Sequence, residues 1–165
     1  MEHLWAPWRM AYVEVSRHPG CVFCSAPDAP DLRERLVLYR GESCFVIMNL
    51  FPYNNGHLMV APYRHTADFP GLVPAEHEEM MRLTRHCVRA LTEAFHPEGF
   101  NIGMNLGKTA GAGIADHLHM HVVPRWNGDT NFMPVLGETK VLPDALHSSF
   151  DRIAAALERL GPPEV

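Results

Sequence analysis

The chain is predicted to fold as α+β, an antiparallel sheet of about five strands carrying two main helices. Short runs rich in apolar and β-branched residues, bounded by turn residues, mark the strands. Two stretches, after Pro74 and from about Pro143, place apolar residues at three- and four-residue spacing, the stripe of a surface helix. Strands in runs with isolated helices, instead of strict alternation, give α+β. With 165 residues, one domain spans 1–165, and a domain of that size buries roughly 68–70% of the surface its unfolded chain exposes.

Residues 1–40 are loop-rich, punctuated by Pro19-Gly20 and Pro27-Asp-Ala-Pro30, with a first strand over Leu32 to Tyr39. A core over 41–125 opens with Cys44-Phe-Val-Ile-Met-Asn49 and His57-Leu-Met-Val-Ala61, two antiparallel strands joined by the turn residues of Leu50–Gly56. Pro74-Ala-Glu-His-Glu-Glu begins a helix with proline and carboxylates in its first turn, where they favour the positive end of the helix dipole. Met80, Leu83, Thr84, Cys87, Val88, Leu91 and Phe95 form its buried stripe. Alternation in Phe100-Asn-Ile-Gly-Met-Asn105 gives another strand, and His117 to Val123 the last, ended by Pro124. The extension over 126–165 carries the second helix, with Leu142, Leu146, Phe150, Ile153, Leu157 and Leu160 recurring before Gly161-Pro-Pro stops it.

Fourteen basic against nineteen acidic side chains leave a net charge of −5, which argues against wrapping a nucleic-acid backbone but leaves room for a compact anion. The N-terminus lacks a signal peptide's pattern and no apolar run approaches a membrane span, so the expected location is the cytoplasm, with no membrane partner. Four cysteines are too few for a secreted disulfide framework. Cys44 and Cys87 lie in apolar stretches as small hydrophobes. Cys21-Val-Phe-Cys24 has a metal or redox spacing.

The chemistry concentrates in His117-Leu-His119-Met-His121-Val-Val, which follows the run Gly107-Lys-Thr-Ala-Gly111-Ala-Gly113. In an extended strand alternate side chains share a face, so the three imidazoles project together. Backbone N–H groups in a side-chain-poor loop can converge on phosphate oxygens. Beside the histidines, and with Asn105 at the preceding strand end, the loop suits a phosphorus centre held for attack. A three-histidine zinc site with an open water position is the other reading of the same face.

These residues resemble the histidine triad superfamily of nucleotide hydrolases and nucleotidyl transferases, whose signature is His-x-His-x-His followed by two apolar residues. The likeness runs from about Cys21 to Arg125 and takes in Asn49, Gly56-His57-Leu-Met-Val and Pro62-Tyr-Arg-His65. Trp5-Ala-Pro-Trp8-Arg9, Asn54-Asn-Gly-His57, Asn105-Leu-Gly107 and Arg125-Trp126-Asn-Gly-Asp129-Thr-Asn-Phe132 are similar to its branch of diadenosine tetraphosphate phosphorylases. One departure is Gly113, where that branch carries a serine whose hydroxyl is a possible phosphate donor.

The resemblance implies a HIT-like fold and cleavage of a nucleotide phosphoanhydride, on substrates such as diadenosine tetraphosphate, with adenine nucleotides expected. His119 is implied as the nucleophile that forms a nucleotidyl-histidine. His121, Asn105 and the loop around Gly111, Ala112 and Gly113 would contact phosphate oxygens, and His57 would orient the triad. Asn49 would bond the ribose hydroxyls while Ile47 or Phe51 lines the base pocket or simply packs in the core. Cys21, Cys24, His65 and His117 are implied as a closed structural zinc set, and a homodimer is expected. Water or phosphate as the final acceptor stays open. Two alternatives stand beside the enzyme: a catalytically weak nucleotide-binding protein, and a metal-activated hydrolase using all three histidines as ligands.

Overall fold

The computed structural model describes residues 20–130 and 144–164. Trp5, Trp8, Arg9, Phe132, Leu142 and Pro143 lie outside them. In chain order the elements are α1 (Val22–Ser25), β1 (Val37–Arg40), β2 (Cys44–Met48), β3 (Leu58–Pro62), α2 (Pro74–Phe95), β4 (Gly99–Gly103), a 3-10 turn (Lys108–Ala110), β5 (Met120–Arg125) and α3 (Leu146–Leu160). The five strands form one antiparallel sheet, as the sequence predicts, and their order is β1-β2-β3-β5-β4.

Every residue of β2 and β3 is buried, which is why both read as continuous apolar runs without strict alternation. Helix α2 lies on β2, β3 and β5 and packs along α3. Its core face is Met80, Leu83, Thr84, Cys87, Ala90 and Leu91, with Val88 and Phe95 half-buried. This stripe is buried in one core with Phe150, Ile153 and Leu157 of α3 and the residues of β2 and β3, and fully burying one such apolar side chain is worth about 1.5–3 kcal/mol. His96 ends α2 in the left-handed region, with its N–H returned to the Thr92 carbonyl, and Gly161 ends α3.

The first strand is shorter than expected. Leu32–Leu36 is a turn in which Asp31 Oδ1 accepts the Glu34 N–H at 3.0 Å and the Arg33 carbonyl accepts the Leu36 N–H. A short acidic side chain that bonds nearby amides offers the backbone an alternative to the ladder. Leu36 adopts φ 61°, a conformation that costs a non-glycine residue roughly 1–2 kcal/mol. Burial of its side chain and the Met48 N–H bonded to its carbonyl hold it there.

The last strand is displaced in the same sense, since β5 begins at Met120, after two of the three histidines, and runs through Pro124 to Arg125. Arg125 turns its carbonyl toward β4, where it accepts the Glu98 N–H. Pro124 therefore faces the other way, beyond the end of β3, and its missing donor breaks no ladder bond. Its carbonyl takes a hydrogen bond from Asn54 Nδ2 at 3.0 Å instead.

Glu79 is buried on α2 although periodicity gave it no role. Its carboxylate accepts the N–H groups of Glu42, Ser43 and Cys44 and an ion pair from Arg82 at 2.8 Å, so it ties the β1–β2 turn to the helix. Burial alone would raise its pKa, but these donors outweigh it and hold the group below the usual carboxylate range. Among the described residues no helix is long and apolar enough to cross a membrane.

Candidate active site and metal centre

Residues 117–119 run alongside the chain that leaves β3. Leu118 N–H bonds the Thr66 carbonyl at 2.8 Å, and His117 Nε2 donates to the Pro62 carbonyl at 2.8 Å. That bond places the proton on Nε2 and leaves Nδ1 of His117 as a free lone pair. Nδ1 lies 3.3 Å from Cys21 Sγ, 3.6 Å from Cys24 Sγ and 3.2 Å from His65 Nδ1, and Cys24 Sγ is 3.3 Å from His65 Nδ1. All four ligand atoms fall within 4.8 Å of one another. A tetrahedral ion with metal–sulfur bonds of about 2.3 Å and metal–nitrogen bonds of about 2.05 Å separates its ligand atoms by about 3.3–3.8 Å. The donors therefore fit a four-coordinate thiophilic metal, and their geometry and ligand type make the cluster a candidate metal site.

Two residues further on, His119 Nδ1 donates to the His117 carbonyl at 2.8 Å. Its Nε2 then carries the lone pair. His119 is 6% exposed, and burial lowers its pKa against the raising effect of that backbone hydrogen bond. Phe23 packs on it, with ring centroids 4.8 Å apart.

His121 sits at the end of a relay whose proton positions follow from one donor. The Tyr53 N–H donates to His57 Nδ1 at 3.1 Å, so the His57 proton is on Nε2. Nε2 donates to His121 Nδ1 at 2.9 Å, so the His121 proton is on its own Nε2. That Nε2 is buried and has no hydrogen-bond partner among the described residues, which leaves an N–H in wait for an acceptor. Both rings are neutral at pH 7. Burial, then the neighbouring His121 and His119, pushes His57 down to about 3, and burial with His119 pushes His121 down to about 4.

A cavity of about 380 Å³ opens over these groups. Of the residues expected from sequence, His119, His121, Asn49, Ile47, Phe51 and Gly113 line it, while His57 stands fully buried behind His121. Asn49 is held on both sides, its Oδ1 accepting the Phe51 N–H at 3.0 Å and its Nδ2 lying 3.3 Å from His57 Nδ1. Asn105, Gly111 and Ala112 are not brought into the lining. Asn105 Nδ2 reaches the Gly111 carbonyl at 3.4 Å, and the Gly111 and Ala112 N–H groups bond back to Lys108 and Gly107. The loop thus satisfies itself at these positions.

Sequence reasoning missed Phe23, Val22, Tyr53, Leu36, Met59, Ile114, Glu34 and Arg35, all of which line the cavity. Phe23 and Val22 were legible only as the two residues between the paired cysteines, and nothing local announces a cavity wall there. The three histidines do not act as one ligand set. Nδ1 of His117 joins the thiols, and among the described residues no cluster of three or more metal-binding side chains unites the triad. This removes the geometric support for a hydrolytic metal held by all three.

Comparison with known proteins agrees with this arrangement. The HIT domain profile matches residues 33–128. The chain belongs to the HIT family. This HIT protein is 40% identical over 158 residues to an AP-4-A phosphorylase of Mycobacterium tuberculosis H37Rv, covering 90% of the chain and 80% of the relative. It is also similar to a zinc-bound histidine triad family protein of Mycobacterium smegmatis, at 32% identity and TM-score 0.67, over 86% of this chain and 95% of that one. A uridylyltransferase shares the fold at TM-score 0.68 and 14% identity, over 94% of this chain and 51% of that one.

Proposed function

We propose that this HIT-family enzyme cleaves the phosphoanhydride of a dinucleoside polyphosphate such as diadenosine tetraphosphate, through a covalent nucleotide on His119, and that inorganic phosphate is the acceptor. The observation that carries the reading is His119 itself, with Nδ1 committed to the His117 carbonyl and Nε2 presented to a nucleotide-sized cavity. The 40% identity to an AP-4-A phosphorylase over most of both chains supports the substrate and the acceptor.

In the first step Nε2 of His119 bonds the α-phosphorus and the bridging oxygen leaves with ATP. In the second, a phosphate oxygen attacks the same phosphorus, the P–N bond breaks and ADP departs, so one diadenosine tetraphosphate and one phosphate give ATP and ADP. Dividing one hard displacement in two is the gain of covalent catalysis. The His121 Nε2–H donates to the phosphoryl oxygens as charge moves onto them, and His57 fixes that proton's position. Asn49 bonds the ribose, and Ile47 and Phe51 flank the base. Asn105, Gly111 and Ala112 join the phosphate contacts only if the loop rearranges around substrate, whereas Gly113 already lines the cavity.

Cys21, Cys24, His65 and His117 would hold a zinc ion. Four protein ligands leave no open position, so the ion supplies a cross-link between the segment before β1, the end of β3 and the start of β5, and no Lewis acid for substrate. The expected homodimer is supported by β4, an edge strand whose Ile102 is 48% exposed, and by Leu106, three residues after the strand, at 49%.

Incubation with diadenosine tetraphosphate, with and without phosphate, tests the reading. ADP and ATP formed only with phosphate establish phosphorolysis; AMP and ATP without it establish hydrolysis and overturn the acceptor assignment. His119→Ala is expected to abolish covalent capture of labelled nucleotide while AMP still binds, and unchanged turnover in that variant would remove His119 as the nucleophile.

A further inference from the structure

Helix α1 is four residues long, too short to stand by itself because nucleating a helical turn is unfavourable. What fixes it lies at its ends and under its one buried face. Cys21, just before it, and Cys24, inside it, both reach the His117–His65 donor cluster. Between them Val22 and Phe23 form part of the cavity wall. Phe23 is 1% exposed, with its ring 5.2 Å from that of His117 and 4.8 Å from that of His119. One aromatic side chain thus touches a metal-site residue and the nucleophile, and the backbone that carries it is pinned by two thiols.

We infer that Phe23 is a positioning residue through which the state of the Cys21, Cys24, His65 and His117 cluster controls nucleotide binding at His119. With the cluster closed, α1 is clamped and the Phe23 ring fills the space beside the imidazole, so cavity wall and nucleophile are set together. With the cluster opened, the clamp on both ends of α1 is lost, and Phe23 and Val22 leave the wall incomplete while the sheet, buried elsewhere, persists. The inference rests on the nucleotide reading of the cavity and on the metal fit of the cluster, and goes beyond both by joining them.

The test is a cycle between metal removal and substitution, read by AMP binding in calorimetry and by the histidine side-chain ¹⁵N shifts in nuclear magnetic resonance. Removing zinc from the wild-type protein with a chelator is expected to weaken AMP binding roughly 5-fold or more, a coupling of ordinary size for groups in contact, with far-ultraviolet circular dichroism retained. Zinc-loaded Phe23→Ala is expected to bind AMP as weakly as the stripped wild type, to shift the His119 nitrogen signals, and to lose less than twofold more on chelation. Phe23→Leu, which keeps an apolar side chain in place, should recover part of the affinity. Equal losses on chelation in wild type and both variants would overturn the coupling and leave the nucleotide reading standing. So would a chelated wild type that binds AMP undiminished, or one that unfolds altogether. Failure of zinc-loaded wild type to bind AMP would instead strike the nucleotide reading, and this inference with it.

Discussion

At the scale of single residues, the site works by settling where protons are. One backbone donor, the Tyr53 N–H, determines the tautomer of His57, which determines that of His121. Replacing His57 with Phe keeps the volume and removes the relay, so the expected outcome is a fall in kcat of roughly 10²–10³, the range for loss of one oriented transition-state donor, with KM for the dinucleotide little changed. Steady-state kinetics on the purified variant checks it, and a wild-type kcat would show that His121 needs no orienting partner. Gly113 makes a second prediction. Among the described residues a Cβ built there meets nothing within 4 Å and its backbone is not in the left-handed region, so Gly113→Ser should fold with stability changed by less than about 0.5 kcal/mol. The added hydroxyl is expected to lower KM for phosphate, and an unchanged or higher value would mean that the hydroxyl does not reach the acceptor.

At the scale of elements, the β1–β2 turn depends on a helix that comes later in the chain. Glu79 collects three amides of that turn, and Glu79→Gln removes the charge and leaves one acceptor for three donors. The expected loss is about 1–3 kcal/mol, seen as a lower urea midpoint with an unchanged slope; a midpoint within error of wild type would make the latch ornamental. The latch also shows what could be read beforehand. Strands β2 and β3 and both long helices were legible because each signals locally, by apolar runs or by a three-to-four spacing. Glu79 was not, because a buried carboxylate on a helix looks like any exposed one until its partners, more than thirty positions away, are known. The ends of β1 and β5 moved for two different reasons, one local and one tertiary. Asp31 builds a turn with its own neighbours, and Pro124 is tolerated only because β3 stops short of it. In the site, the triad and the paired cysteines could be seen, whereas Phe23, Tyr53 and Leu36 enter through tertiary approach alone.

At the scale of the whole molecule, the cluster of two thiols and two imidazoles joins parts of the chain that are distant in sequence, so its loss is felt globally. Cys24→Ser is expected to lower Tm and metal content together, with excess zinc unable to restore the wild-type Tm; equal Tm values with and without chelator in the wild type would contradict a structural metal. Acid acts at the neighbouring site with a definite sign. His57 and His121 titrate near 3 and 4 in the folded protein, below the ordinary 6.5. Between those values the unfolded chain binds more protons, so stability is full above about pH 6.5 and declines as pH falls toward 4, by up to about 1.4 kcal/mol per unit for each ring. Urea titrations from pH 8 to pH 4 measure the slope, and a rise in stability toward acid would refute the neutral relay. The strand order has a last consequence, for synthesis. Because β5 inserts between β3 and β4, a nascent chain that has not yet emerged past His121 holds β3 and β4 each with a bare hydrogen-bonding edge. Ribosome-bound intermediates of this protein are therefore expected to carry unpaired strand edges, open to pairing with other chains, until the histidine strand arrives.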